Sequence, residues 1–345
     1  MQEIIDLRSD TVTKPTPAMR EAMYRAEVGD DVFGEDPNVN RLEALAAEKM
    51  GKEAGLFVAS GTMGNLIAVL VHCQRGDEAV MGHLGHTFLF EGGGISALGS
   101  IFAHTLPNQP DGTIQLEDIN GAIRGSDIHH PLTRLVILEN THNRCGGTVL
   151  SEAYTRQVGE LVRANGLQLH LDGARIFNAA AALGTNVRAL VDPVDSVTFC
   201  LSKGLCAPVG SVLCGSGDFI DRARRIRKQL GGGMRQAGIL AAAGIVALEE
   251  MVDRLVEDHR RARWLAQGLA GLTGLRLTYG EPASNLVFVS LETTSQHTAR
   301  DLVGSLLQLG VRVGAVSPTT LRLALHYWID DRAVERTLQA FEQVM

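Results

Sequence analysis

The chain has 345 residues, 45% hydrophobic and 21% charged, with a formal net charge of -7, which describes an ordinary folded protein too long for one small core. The acidic balance gives no reason to expect nucleic acid or an anionic membrane as partner, and the longest apolar stretch, around 239–248, is far short of a membrane span. The first ten residues carry charges where a leader peptide needs an apolar run, and five cysteines (Cys73, Cys145, Cys200, Cys206, Cys214) form no Cys-x-x-Cys pair, so neither a metal nor a disulfide framework is expected and a reducing cytoplasm is.

In chain order, Thr16-Pro17 predicts a helix start, with Met19, Ala22, Met23 and Ala26 at helical spacing. A second helix is predicted over 39–50 and stops at Gly51. Strands and helices then alternate: strand 55–59, helix 62–73, strand 79–81, strand 133–139, helix 152–165, strand 167–171, helix 174–183, strands 197–201 and 211–214. Such alternation implies an α/β fold, a mainly parallel seven-stranded type of sheet sandwiched by helices. A single long helix is expected over 236–272, leading into a small α+β C-terminal domain: strand 286–291, helix 299–309, strands 311–314 and 320–325, helix 332–344. The domains expected are an N-terminal segment 1–30, a large domain 31–250 and a small domain 251–345.

Ligands of such sheets sit at the carboxyl ends of strands. Two of these ends carry a suggestive pair. Asp172 closes the run Leu167-Gln-Leu-His-Leu-Asp172, and about thirty residues later Lys203 follows the strand in Val197-Thr-Phe-Cys-Leu-Ser-Lys203. A lysine to form a Schiff base with an aldehyde, and a carboxylate to keep a ring nitrogen protonated, are what pyridoxal phosphate needs. Each alone is equally a solvated loop lysine or an Asp-Gly turn.

Ser60-Gly61-Thr62-Met63-Gly64 joins a strand to a helix, where backbone N–H groups and the helix N-terminus suit a phosphate; an ordinary N-cap reads the same way. It is neither a GxxxxGK[ST] loop nor a Gly-x-Gly-x-x-Gly fingerprint, so nucleotide hydrolysis and nicotinamide chemistry find no support. His86 follows a strand and could lie on a flat ring, or simply pack. His129 has the same status, and His129-His130 lacks a third metal ligand. Arg175, three residues past Asp172, could bind a cofactor oxygen or a substrate carboxylate. Arg322 stands in the apolar run Thr320-Leu-Arg-Leu-Ala-Leu325, so it needs an anion, from a ligand or from a structural ion pair. Gly231-Gly-Gly-Met-Arg235 follows a basic helix face and suggests a close approach to a ligand or another subunit.

Asp6-Leu-Arg-Ser9-Asp-Thr-Val-Thr13, Val28-Gly-Asp-Asp-Val-Phe-Gly34, Glu139-Asn-Thr-His-Asn143, Asp172-Gly-Ala-Arg175-Ile-Phe-Asn178, Cys200-Leu-Ser-Lys203-Gly and Gly231-Gly-Gly-Met-Arg235-Gln together resemble the L-threonine aldolases of the low-specificity type. These are pyridoxal-phosphate enzymes of the aspartate-aminotransferase fold (fold type I). The likeness runs from about Ile5 to Arg322. Two stretches depart from common family forms: Asn143-Arg-Cys-Gly-Gly-Thr148 is longer, and Leu323-Ala-Leu-His326 replaces Leu-Val-Thr-His. The resemblance implies that Lys203 carries the Schiff base, Asp172 pairs the pyridine nitrogen and His86 stacks on the ring. Gly61 and Thr62 would hold the phosphate, and Arg175, with Ser9 and Arg322, the cofactor oxygen and the substrate carboxylate. Lys228 and Arg235 would enter a neighbouring subunit's site, and His129 would lie near the β-hydroxyl. It implies a homotetramer, a dimer of dimers, that acts on a small amino acid. Another activity on the same fold, β-elimination or aminotransfer, would look alike at these residues.

Overall fold

The structure, a computed structural model, describes residues 4–292 and 297–345. Its strands are β1 (Ile5–Asp6), β2 (Ala54–Val58), β3 (Glu78–Gly82), β4 (Phe102–Leu106), β5 (Thr133–Glu139), β6 (Gln168–Asp172), β7 (Ser196–Cys200), β8 (Ser211–Gly215), β9 (Leu275–Leu277), β10 (Leu286–Leu291), β11 (Val311–Arg312), β12 (Gly314–Ala315) and β13 (Thr320–Ala324). Seven of them form one sheet in the order β2-β8-β7-β6-β5-β3-β4. Strands β3 to β7 pair in parallel, and only β8 runs against its neighbours β2 and β7.

Alternate residues of these strands feed two covered faces, which is why they read as continuous apolar runs. Val80, Val136, Leu169, Val197 and Phe199 point into one core with Leu42, Val158 and Ile176. Leu56 and Leu213 meet Ile67 and Phe219 on the other face, and Met81 and Ile137 meet Leu66 and Ile101. The strand at the sheet's edge, β4, was not predicted. Phe102 to Thr105 are exposed or half-buried, so the strand lacks an apolar pattern.

The small domain is a four-stranded sheet, β12-β13-β10-β9, with helices Leu255–Ala270, Ala299–Gln308 and Asp331–Val344 against it. Its core holds Leu265, Val287, Val289, Leu306, Leu323 and Phe341, together with Ile5 and Leu7 from the chain's start. The opening residues therefore belong to the small domain: β1 pairs in parallel with β11. The helix Pro17–Arg25, capped by the Thr16 hydroxyl, buries Met19 in the large core instead.

The single helix expected over 236–272 is corrected. It is two helices, Gly238–Glu250 and Leu255–Ala270, separated by a turn. The first is buried nearly all round in the large domain. The second buries Ala262, Leu265, Ala266 and Leu269 in the small domain's core. One straight rod cannot present both faces. Met251 and Leu255 anchor the turn in the large core, and Arg254 pairs with Asp258 at the second helix's start.

Candidate active site

Three neighbouring strands end at one opening. β5 ends on Glu139, β6 on Asp172, and β7 runs into the loop that carries Lys203. A cavity of about 470 Å³ lies there, lined by Ser9, His86, Asp172, Arg175, Lys203 and Arg322 among others. Six residues singled out in the sequence thus meet in one place, as strands wound in parallel require.

Asp172 is 3% exposed. Its Oδ2 accepts from the Asn65 amide at 2.9 Å and its Oδ1 from the Ala174 N–H at 3.1 Å. Burial first, then repulsion from Glu139 and Glu91, pushes its carboxyl up to about 6. His86 begins a short helical turn; its N–H donates to Glu139 Oε2 at 2.7 Å and its Nδ1 is 2.8 Å from Glu91 Oε1. The bond to Glu91 outweighs burial and holds the imidazole above its ordinary value. The same Glu91 oxygen accepts from Asn65 at 2.9 Å, while its Oε2 is buried with no partner.

His86, Glu91 and Asp172 offer three ligand atoms within 4.8 Å of one another. A cation or a cationic ring N–H would suit that negative corner. The His86–Glu91 hydrogen bond already closes one side of it, and the open side is the cavity that Lys203 also faces. A protonated heteroaromatic nitrogen placed between His86 and Asp172 therefore fits better than a fully ligated ion.

Arginines line the same cavity. Arg175 is buried and its Nε and Nη2 each sit 2.7 Å from a carboxylate oxygen of Asp10. Burial, the largest single effect, would raise the Asp10 carboxyl, but the charge and hydrogen bonds of Arg175, with Lys203 and Asn285, together outweigh it and hold the carboxyl well below the usual range. Arg175 is thus committed to a structural pair while still lining the cavity. Arg322 has no acidic partner among the described residues: Nη1 donates to Asn143 Oδ1 at 2.9 Å, Nη2 to the Arg8 carbonyl at 3.1 Å, and the buried Nε to nothing. Burial and the nearby Arg175 lower its pKa. A desolvated guanidinium without a carboxylate is a site for an incoming anion. Ser9 lines the cavity beside it, accepting from the Thr11 N–H at 3.2 Å. The Thr13 hydroxyl donates to the Lys203 carbonyl at 2.9 Å, fixing the lysine's loop from the N-terminal segment.

Gly61 and Thr62 open the helix Gly61–His72 at its free N-terminus, where the Ser60 hydroxyl caps Met63. A Cβ on Gly61 would stand 2.9 Å from the Cys200 sulfur. This turn therefore packs directly on the strand that delivers Lys203, and the amides of Gly61 and Thr62, ahead of the capped Met63 and Gly64 N–H groups, are the ones placed to meet an anion. His129 does not line the cavity; it lies on an exposed loop, Nδ1 2.7 Å from Asp127. Lys228 and Arg235 are also outside it. Both are exposed, with Arg235 paired to Asp30 at 2.8 Å and Lys228 packed on Gly233.

Asp10, Asn65, Glu91, Glu139 and Asn143 were not singled out in the sequence. Glu139 carried the same signal as Asp172, an acid closing an apolar strand. Asn65 and Glu91 lie inside helical and loop stretches with nothing to mark them, and only the packing of three segments joins them to Asp172.

Residues 6–293 match the model of the family described as β-eliminating lyase. The chain is 49% identical over 344 residues to low-specificity L-threonine aldolase 1 of Arabidopsis thaliana, covering 99% of this chain and 96% of that one. It belongs to this family of lyases. It is also 53% identical over 266 residues to the low specificity L-threonine aldolase of Escherichia coli, 77% of this chain and 79% of that one. A Leishmania major threonine aldolase structure superposes with a TM-score of 0.84 at 22% identity, covering 99% of each chain, so the fold is shared throughout. Among the described residues no helix is long and apolar enough to cross a membrane.

Proposed function

We infer that the protein cleaves L-threonine and related β-hydroxy-α-amino acids to glycine and an aldehyde, with pyridoxal 5′-phosphate as cofactor. The observation that carries this is one cavity lined by Asp172, Lys203 and Arg322, the last without an acidic partner among the described residues. The bound cofactor would supply an electron sink for the pair left on Cα when the Cα–Cβ bond breaks.

The chain's own residues do the rest. Lys203 would hold the cofactor through its aldehyde, and Gly61 and Thr62 would receive its phosphate. Asp172 presents a carboxylate that a ring N–H would bring back to its charged state. Arg322, with Ser9 and Arg175, would clamp the α-carboxylate and so set the angle of the Cα–Cβ bond. His86 is the histidine within the cavity that can take the β-hydroxyl proton; its Nδ1 is held by Glu91, which leaves Nε2 for the substrate. His129 would reach a site only across a subunit boundary.

An assay that couples acetaldehyde and glycine formation, run beside one for keto acid and ammonia, decides between aldol cleavage and β-elimination or aminotransfer. Acetaldehyde and glycine in equal amounts are expected, and Lys203→Ala should lower the rate by at least about a thousandfold. Keto acid from L-threonine as the main product would overturn the reading.

We further infer a homotetramer, a dimer of dimers, working in the cytoplasm on threonine breakdown and glycine supply. Exposed Phe33 and Val32 beside Lys228 and Gly233 support a subunit contact there. Sedimentation showing a monomer at micromolar concentration would rule that assembly out.

A further inference from the structure

The cavity holds a second guanidinium that pairs with no carboxylate among the described residues. Arg144 lines the same space as Arg322 and Lys203. Its Nε is buried without a hydrogen-bond partner, and no carboxylate among the described residues pairs with it. Glu139 faces the same cavity but has one oxygen on the His86 N–H at 2.7 Å and the other on the Asn143 N–H at 2.8 Å.

Arg144 is not a loose surface residue. Its carbonyl accepts from the Tyr279 hydroxyl at 3.0 Å. Gly146 and Gly147 follow at φ 84° and 73°, where a Cβ would meet the Tyr279 ring and the Ser284 hydroxyl, each at 2.7 Å. The loop is wedged against the small domain, and its Asn143 side chain grips Arg322. The two arginines are therefore held side by side, and Arg144 adds to the repulsion on Arg322 after burial and Arg175.

Arg175 is matched by Asp10. Neither Arg322 nor Arg144 has a carboxylate of the described residues at ion-pair distance, so one α-carboxylate can pair with one of them and the other guanidinium is left without one. We propose that Arg144 receives a second anionic group on the substrate, so that the enzyme also takes β-hydroxy-α-amino acids with a side-chain carboxylate, of which β-hydroxyaspartate is the smallest. This rests on the aldol-cleavage reading above. The chemistry is the same: the Cα–Cβ bond breaks and its electron pair stays on Cα, which gains a proton to give glycine. The β-hydroxyl loses its proton as the C–O bond becomes C=O, giving glyoxylate, with no outside oxidant or reductant.

The test compares kcat/KM for L-β-hydroxyaspartate, its amide β-hydroxyasparagine and L-threonine in the holoenzyme and in Arg144→Gln and Arg144→Lys. The acid-to-amide ratio should fall about ten- to a hundredfold in Arg144→Gln, the loss of a charge-assisted hydrogen bond, and recover in part in Arg144→Lys. Equal losses on all three substrates would assign Arg144 to the α-carboxylate and overturn the proposal. Should the variants not fold, the unaltered enzyme still decides: L-aspartate should inhibit threonine cleavage at least about tenfold more tightly than L-asparagine, and equal inhibition overturns the proposal. Threonine cleaved without any preference for the diacid sinks this inference alone. No cleavage of threonine sinks the aldol reading and this with it.

Discussion

Asn65 stands between two buried carboxylates and donates to both, at 2.9 Å to Glu91 and 2.9 Å to Asp172. Its amide orientation is therefore fixed, since only the NH₂ end can face acids. The carbonyl end must accept from His170 Nε2 at 3.2 Å, which places that ring's proton on Nε2 and leaves Nδ1 to accept from Ser196 at 2.9 Å. Ser196 accepts in turn from His72 at 2.7 Å. Burial holds His170 down to about 3 and His72 to about 4, so the line is neutral behind an acidic site. Asn65→Ala strips a donor from two buried acids, and urea unfolding of the cofactor-free protein should show a loss of about 2–4 kcal/mol.

The pH behaviour of the site follows from neighbouring residues. Asp172 has a folded pKa of about 6 against an ordinary 3.8, so its contribution to stability is full below 3.8 and is lost as pH rises through 6. The cofactor-free protein should thus melt lower at pH 7 than at pH 5 by more than Asp172→Asn does, on the order of 1–3 kcal/mol. Equal slopes in both proteins would show that Asp172 is ionised throughout. Glu91 raises His86, so Glu91→Gln should move the acid limb of the kcat/KM profile to lower pH if His86 is the base. An unmoved limb would assign that limb to another group.

At the scale of elements, what positions the site is the approach of the helix Gly61–His72 to β7. A Cβ on Gly64 would stand 2.6 Å from the Thr198 methyl, and the next residue is Asn65. Gly64→Ala should push this helix off the sheet, costing about 1–3 kcal/mol and weakening cofactor affinity in a titration of the apo-protein. A variant with unaltered affinity would show that the phosphate turn tolerates the shift. The strands of the central sheet, and with them Asp172 and Lys203, were legible because residues buried on both faces leave unbroken apolar runs that end abruptly. The edge strand β4 and the break at 251–254 were not, since a half-exposed strand loses its pattern and a helix that changes partners keeps its apolar character across the turn. Arg322 was legible as a cation in need of an anion, whereas Arg175 was legible only as a cation: its partner Asp10 lies at the far end of the chain.

At the scale of the molecule, Asp10 joins three parts. It pairs with Arg175 of the large domain and accepts from Asn285 of the small one at 3.3 Å. Asp10→Ala leaves a buried guanidinium alone, and chemical denaturation should register a loss of about 3–5 kcal/mol. The pair's contribution persists above the ordinary carboxylate range and is lost as pH falls through the depressed value. Acid should therefore loosen both domains together. Separate transitions for the two domains would break that coupling.

The residues around Asp10 lie along the seam: the Leu7 carbonyl accepts from Ala324, the Asp6 carbonyl from His326, the Lys14 carbonyl from Trp328, and Thr13 reaches Lys203. A growing chain makes residues 5–14 about three hundred residues before their seats at 311–328. Until the ribosome has delivered those seats, the opening strand has no mate, and the loop of Lys203 lacks its brace. The large domain can gather its sheet during synthesis. The candidate pocket cannot be completed before residues 311–328 have emerged, so a chain stalled short of them is folded in bulk and still blank where the substrate would sit.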